Sequence, residues 1–127
     1  MKIKNIRLFP VTTSREAGPP SQHIIVKLET DEGPTGFGEM PDFTHLPALM
    51  PDVADLERTL NHLLTDCDPL EIGAANEQVK KYFPGVPFSD KSSLVRCGVD
   101  LSLYDLVGKV EPYVWSIIFI RDGKKVY

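Results

Sequence analysis

Along this chain the spacing of the apolar residues changes once, near residue 40, and it does not change back. Before that point they fall at every second position, and after it at every third and fourth. A period of two suits a strand with one buried face, whereas three and four draw one stripe on a helix. A run of strands followed by a run of helices makes an α+β domain, with the helices packed on one face of the sheet or beside it.

In Lys2 to Val11, Ile6 and Leu8 alternate with Asn5 and Arg7; in His23 to Thr30, Ile24, Val26 and Leu28 alternate with Lys27 and Glu29. Asp31-Glu32-Gly33-Pro34 supplies turn chemistry, since Gly33 tolerates positive φ and Pro34 has no ladder donor. Thr35 to Glu39 then resumes extended structure, giving a three-stranded antiparallel meander. The connection Thr12 to Gln22 holds Gly18, Pro19 and Pro20 and reads as an irregular exposed loop.

The helical half begins with Pro51 as a first-turn proline of a helix to Thr65, its stripe running through Val53, Leu56, Leu60, Leu63, Leu64 and Cys67. Ile72, Ala75, Val79, Tyr82 and Phe83 mark a second helix, which Pro84-Gly85-Val86-Pro87 ends. Ser89 or Asp90 is the expected cap of a third, carrying Leu94, Leu101 and Tyr104. Its small residues Cys97, Gly98 and Ser102 let another backbone approach closely. Asp105 and Lys109 stand four apart in the favourable order for an ion pair.

Size and charge narrow the function classes. With 127 residues the chain supports one modest core, whereas a closed (β/α)₈ barrel needs about 250 residues, so any function that depends on one is incomplete here. The formal charge of −4 and the lack of a basic stripe argue against nucleic acid and anionic membrane as partners. The N-terminus alternates polar and apolar residues, unlike a signal peptide, and the apolar run Val114 to Ile120 is too short to span a bilayer. Cys67 and Cys97 have no neighbours at metal-ligand spacing, and reduced thiols in a cytoplasmic protein are expected.

The run Arg96-Cys97-Gly98-Val99-Asp100-Leu101-Ser102-Leu103-Tyr104-Asp105-Leu106-Val107-Gly108-Lys109 resembles the last helix of the N-terminal domain in the mandelate racemase and muconate lactonizing enzyme group of the enolase superfamily. Lys2 to Ile6, His23 to Gly33 and Thr35-Gly36-Phe37-Gly38-Glu39 resemble that group's first three strands, in order and spacing. The resemblance covers residues 1–110, which it makes a capping domain. Residues 111–127 form a divergent tail leading towards a missing barrel, with Phe119 where the family carries glycine.

The resemblance implies a two-part enzyme, a sugar-acid dehydratase, racemase or lactonizing isomerase. Its barrel holds the bases and the carboxylates for magnesium, and its cap closes two loops over the barrel mouth. The matching loops here are Thr12 to Gln22 and Met40 to Leu49, with Arg15, Gln22, Phe43, Thr44 and His45 as substrate-specificity positions. A dry lid strengthens polar chemistry beneath it, and loop side chains vary without disturbing a core.

No catalytic or metal-binding residue is assigned to this chain, and magnesium is expected only in a full-length parent. Lys2-Ile3-Lys4 imitates the family's Lys-x-Lys bases but lies on the first strand, where both lysines face water. Glu39, Asp42 and His45 read as solvated loop residues, and Cys67 as core. The expected partner is the parent's barrel, or a second copy if the small-residue face of the third helix stays uncovered. A self-contained binding or assembly module is the alternative.

Overall fold

The computed structural model of the protein describes residues 1–40, 43, 50–85 and 91–111. Strands β1 (Ile3–Thr13), β2 (Ser21–Thr30) and β3 (Thr35–Met40) form one antiparallel sheet in that order. Helices α1 (Val53–Leu64), α2 (Ile72–Tyr82) and α3 (Ser92–Val110) follow, the α+β arrangement the two periods predict. Ile6, Leu8, Ile24, Val26 and Leu28 are buried on one sheet face, under Leu60, Leu64, Val95, Val99, Leu103 and Leu106 from the helices.

Several boundaries differ from the sequence reading. The β1–β2 ladder continues through Thr12↔Gln22 and Thr13↔Ser21, so the first loop contracts to residues 14–20. Apolar alternation stops at Val11, but backbone pairing does not need apolar side chains. Helix α1 starts two residues later than expected because Asp52 is its N-cap, its carboxylate accepting from the Asp55 N–H at 3.0 Å, and Pro51 precedes the cap. Lys91 takes the cap position of α3 without a side-chain hydrogen bond. Ser89 and Asp90, the expected caps, lie outside the described residues, as does the tail from residue 112.

The small-residue face of α3 is not uncovered. Strand β3 lies against it so closely that a Cβ on Gly38 would sit 2.1 Å from the Gly98 carbonyl oxygen, and one on Gly36 2.1 Å from the Ser102 carbonyl oxygen. Gly98 is buried against Met40 and Val26, and Ser102 is fully buried. The ground for self-association through this face is therefore removed. Cys97 does not belong to the contact; it is exposed on the other side of the helix. Burial of α3 on two sides, by the sheet and by α2, explains why its stripe is so broad.

Both sheet edges are closed by helix side chains. On the β1 edge, Asn61 of α1 accepts from the Ile6 N–H and donates to the Ile6 carbonyl, both at 2.8 Å, and Glu57 accepts from the Leu8 N–H at 2.9 Å. On the β3 edge, Asp105 accepts from the Phe37 N–H at 2.8 Å, while Lys109 pairs with Asp105 at 2.6 Å. An edge strand with free N–H groups invites another chain, and these contacts remove that invitation. After α1, Asp66 adopts φ 71°, and the Ile3 N–H donates to the Cys67 carbonyl at 2.8 Å, fastening the helix end to β1.

Gly38→Ala forces a methyl group onto helix backbone that cannot rotate away, and it should lower unfolding free energy in urea by about 3 kcal/mol. Gly73→Ala, with nothing within 4 Å of the new methyl on α2, should raise it by up to about 1 kcal/mol. Burial pushes the Asp105 carboxyl upward, but the Lys109 and Phe37 hydrogen bonds and the lysine charge outweigh it and hold it below the usual carboxylate range. A depressed folded pKa gives stability that is complete above the unfolded value and lost as acid protonates the carboxylate. Asp105→Asn should therefore flatten the stability profile below about pH 4, read by urea midpoints across pH.

Candidate functional site

The ladder register brings the two candidate loops to the same end of the sheet. Residues 14–20 join Thr13 of β1 to Ser21 of β2, and the second loop leaves β3 at Met40, which faces Ile24 of β2. The Phe43 N–H donates to the Gln22 carbonyl at 2.9 Å, so the second loop is stitched to the base of the first. Gly18 at φ 87° lets the hairpin tip turn where a side chain would strain it.

Of the five specificity positions, three are described. Arg15 is exposed on the hairpin, and its Nε donates to Oγ of the buried Ser21, which ties the guanidinium base to the sheet end. Gln22 lies in β2, with its side chain exposed and its carbonyl holding Phe43. Phe43 has no exposed surface and sits within the hydrophobic core, where it anchors the second loop instead of presenting a ring to solvent. Thr44 and His45 lie outside the described residues, as does Asp42.

Ser21 and the Phe43–Gln22 contact were not visible in the sequence. A small polar residue after a Pro-Pro pair was the available signal for the first; nothing in residues 40–49 announced which side chain would turn inward. Glu39 is on the outer sheet face, 3.3 Å from His23 Nδ1 but without the alignment of a hydrogen bond.

Lys2 and Lys4 are exposed at the start of β1, at the opposite end of that strand from residues 14–20. Among the described residues no three His, Cys, Asp or Glu side chains converge as a metal ion would require. The described residues do not fit a magnesium site. What the arrangement supplies is a covered sheet from one end of which both the hairpin 14–20 and the chain after Met40 leave.

Comparison with known proteins accords with this architecture. Residues 2–115 match the family model of the mandelate racemase / muconate lactonizing enzyme N-terminal domain. An N-succinyl-L-Arg/Lys racemase from Bacillus cereus is 28% identical over 119 residues, covering 86% of this chain and 31% of the racemase. An L-Ala-D/L-amino acid epimerase from Populus trichocarpa is 27% identical over 103 residues, 80% of this chain and 24% of the epimerase. The crystal structure of a dipeptide epimerase from Enterococcus faecalis superposes with a TM-score of 0.67 at 22% identity, over 87% of this chain and 30% of that one. The chain thus spans less than a third of the length of these relatives.

If Phe43 is the anchor of the second loop, truncating it opens a cavity and frees the loop together. Phe43→Ala should cost about 3 to 5 kcal/mol of stability in urea and speed amide exchange at Gln22 and its neighbours. Wild-type stability would show that the ring is not in the core.

Proposed function

The chain belongs to the mandelate racemase / muconate lactonizing enzyme family as its N-terminal domain, and from this we propose that it caps a barrel and selects that barrel's substrate. The carrying observation is that the hairpin 14–20 and the chain beyond Met40 leave the sheet at one end, where the Phe43 N–H donates to the Gln22 carbonyl. Loops that leave a sheet side by side at one end can cover a barrel mouth, exclude water and vary in side chain without loss of fold. Arg15, Gln22, Thr44 and His45 are the side chains proposed to face substrate, with Phe43 holding their backbone.

The proposed whole enzyme inverts configuration at a carbon next to a carboxylate, as racemases and epimerases do, and its magnesium belongs to the barrel. Support for this choice over a dehydratase or a lactonizing isomerase comes from the racemase and epimerase among the relatives. Arg15 suits the anionic end of an acylated amino acid or dipeptide, because a planar guanidinium fork meets a carboxylate with two parallel hydrogen bonds. The cap itself moves no proton.

A chimera tests the reading. Replacing the N-terminal domain of the Bacillus cereus racemase with this chain should preserve racemisation while changing the ranking of N-acylated substrates. Arg15→Ala in the chimera should raise KM for anionic substrates about tenfold with little change in kcat, the loss of one charged contact. A chimera with the parent racemase's substrate ranking removes the specificity role. Turnover by the 127-residue chain alone removes the cap reading altogether.

A further inference from the structure

At the loop end of the sheet one polar side chain is buried where its neighbours are not. The register pairs Thr13 with Ser21, Val11 with His23 and Phe9 with Ile25, so by alternation Ser21 belongs to the outer sheet face together with His23 and Ile25. On that face Phe9 and Val11 are each 38% exposed, yet Ser21 is only 7% exposed. A hydroxyl withdrawn from water needs a hydrogen-bond partner, and this one accepts from Nε of Arg15, six residues back across the hairpin. Arg15 itself is exposed.

We propose that Ser21 is a positioning residue: it orients the Arg15 guanidinium before substrate arrives, and so sets how tightly a carboxylate-bearing substrate is held. This rests on the capping role proposed above, in which Arg15 meets the anionic end of the substrate. The guanidinium is planar, with Nε, Nη1 and Nη2 in one plane. A bond at Nε therefore constrains that plane, and with it the places of Nη1 and Nη2, the two nitrogens that make a fork for both oxygens of a carboxylate.

Two further features suit Ser21 to this task. An arginine stem samples many rotamers, and freezing them on binding weakens the contact by the entropy lost. Here the hairpin has already narrowed the range: the Thr13↔Ser21 pair holds both ends of residues 14–20, and Gly18 at φ 87° makes the turn that returns the chain. The second feature is chemical. A hydroxyl holds the guanidinium by direction and takes none of its charge, whereas a carboxylate in the same place would compete with the substrate's own.

Two measurements test the role of Ser21. In the 127-residue chain, the Nε–H proton of Arg15, identified by its loss in Arg15→Ala, should exchange with water about fivefold more slowly than in Ser21→Ala, and Ser21→Thr, which keeps the hydroxyl, should retain the protection. If Ser21→Ala unfolds, Ser21→Val takes its place, since it matches threonine in shape and lacks only the hydroxyl. In the chimera with the Bacillus cereus racemase, Ser21→Ala should raise KM for N-acylated amino acids about fivefold with kcat unchanged, and Ser21→Thr should recover most of the loss. Added to Arg15→Ala, it should change nothing further. A Ser21 that merely supported the fold would act with or without Arg15. Exchange at Nε that is equally fast with and without the hydroxyl overturns the proposal, as does a KM effect that persists in the Arg15→Ala background. A KM effect of Arg15→Ala that Ser21→Ala does not share strikes the positioning role alone and leaves the capping role standing. No KM effect of Arg15→Ala removes Arg15 from the substrate and the positioning role with it, and an inactive chimera counts against the capping role while the exchange measurement still decides the Ser21 bond.

Discussion

The approach of α3 to β3 is the constraint on which the rest of the structure depends. Backbone meets backbone there, with Gly36 and Gly38 on the strand opposite Gly98 and Ser102 on the helix, and no side chain fits between them. The closeness brings the α3 side chains flanking this seam, Val95, Val99, Leu103 and Leu106, down onto Val26, Leu28 and Met40. Close packing of this kind is worth more than its area alone, because each buried atom gains partners at contact distance. It also sets the height of α3 above the sheet, which puts Asp105 within reach of the Phe37 N–H.

A three-stranded sheet has two edges and little interior, and it is not stable without cover. Here the cover and the edge protection come from the same helices. Helix α1 supplies Leu60 and Leu64 to the core and Asn61 and Glu57 to the β1 edge; α3 supplies Leu103 and Leu106 to the core and Asp105 to the β3 edge. The edges are thereby bonded to the same helices that cover the sheet face.

Much of the fold was legible because burial imposes period. Ile24, Val26 and Leu28 alternate on a one-sided sheet, and Leu56, Leu60 and Leu64 follow a one-sided helix, so pattern and burial agree. Gly98 also announced a close approach, but not its partner: Gly36 and Gly38 read equally well as flexible extended residues, and only the packed pair shows why neither carries a side chain. Asp105 was legible as the partner of Lys109 because four residues separate them, while its bond to Phe37, 68 positions away, leaves no local trace. The loop positions were least legible. Phe43 has the same polar and proline-rich surroundings as its neighbours, and its burial is decided by a cavity that residues distant in the chain create.

That burial has a consequence for how the loops divide their work. A loop that is free at both root and tip samples many arrangements, and each arrangement lost on closing over a ligand costs entropy. Phe43 and the Gln22 carbonyl hold the chain just after β3, and Ser21 holds the Nε of Arg15 beside the start of β2, so part of the ordering is already done in the folded domain. Loop residues other than these anchors can be changed without disturbing the core, so under the proposed role selectivity changes without rebuilding the fold.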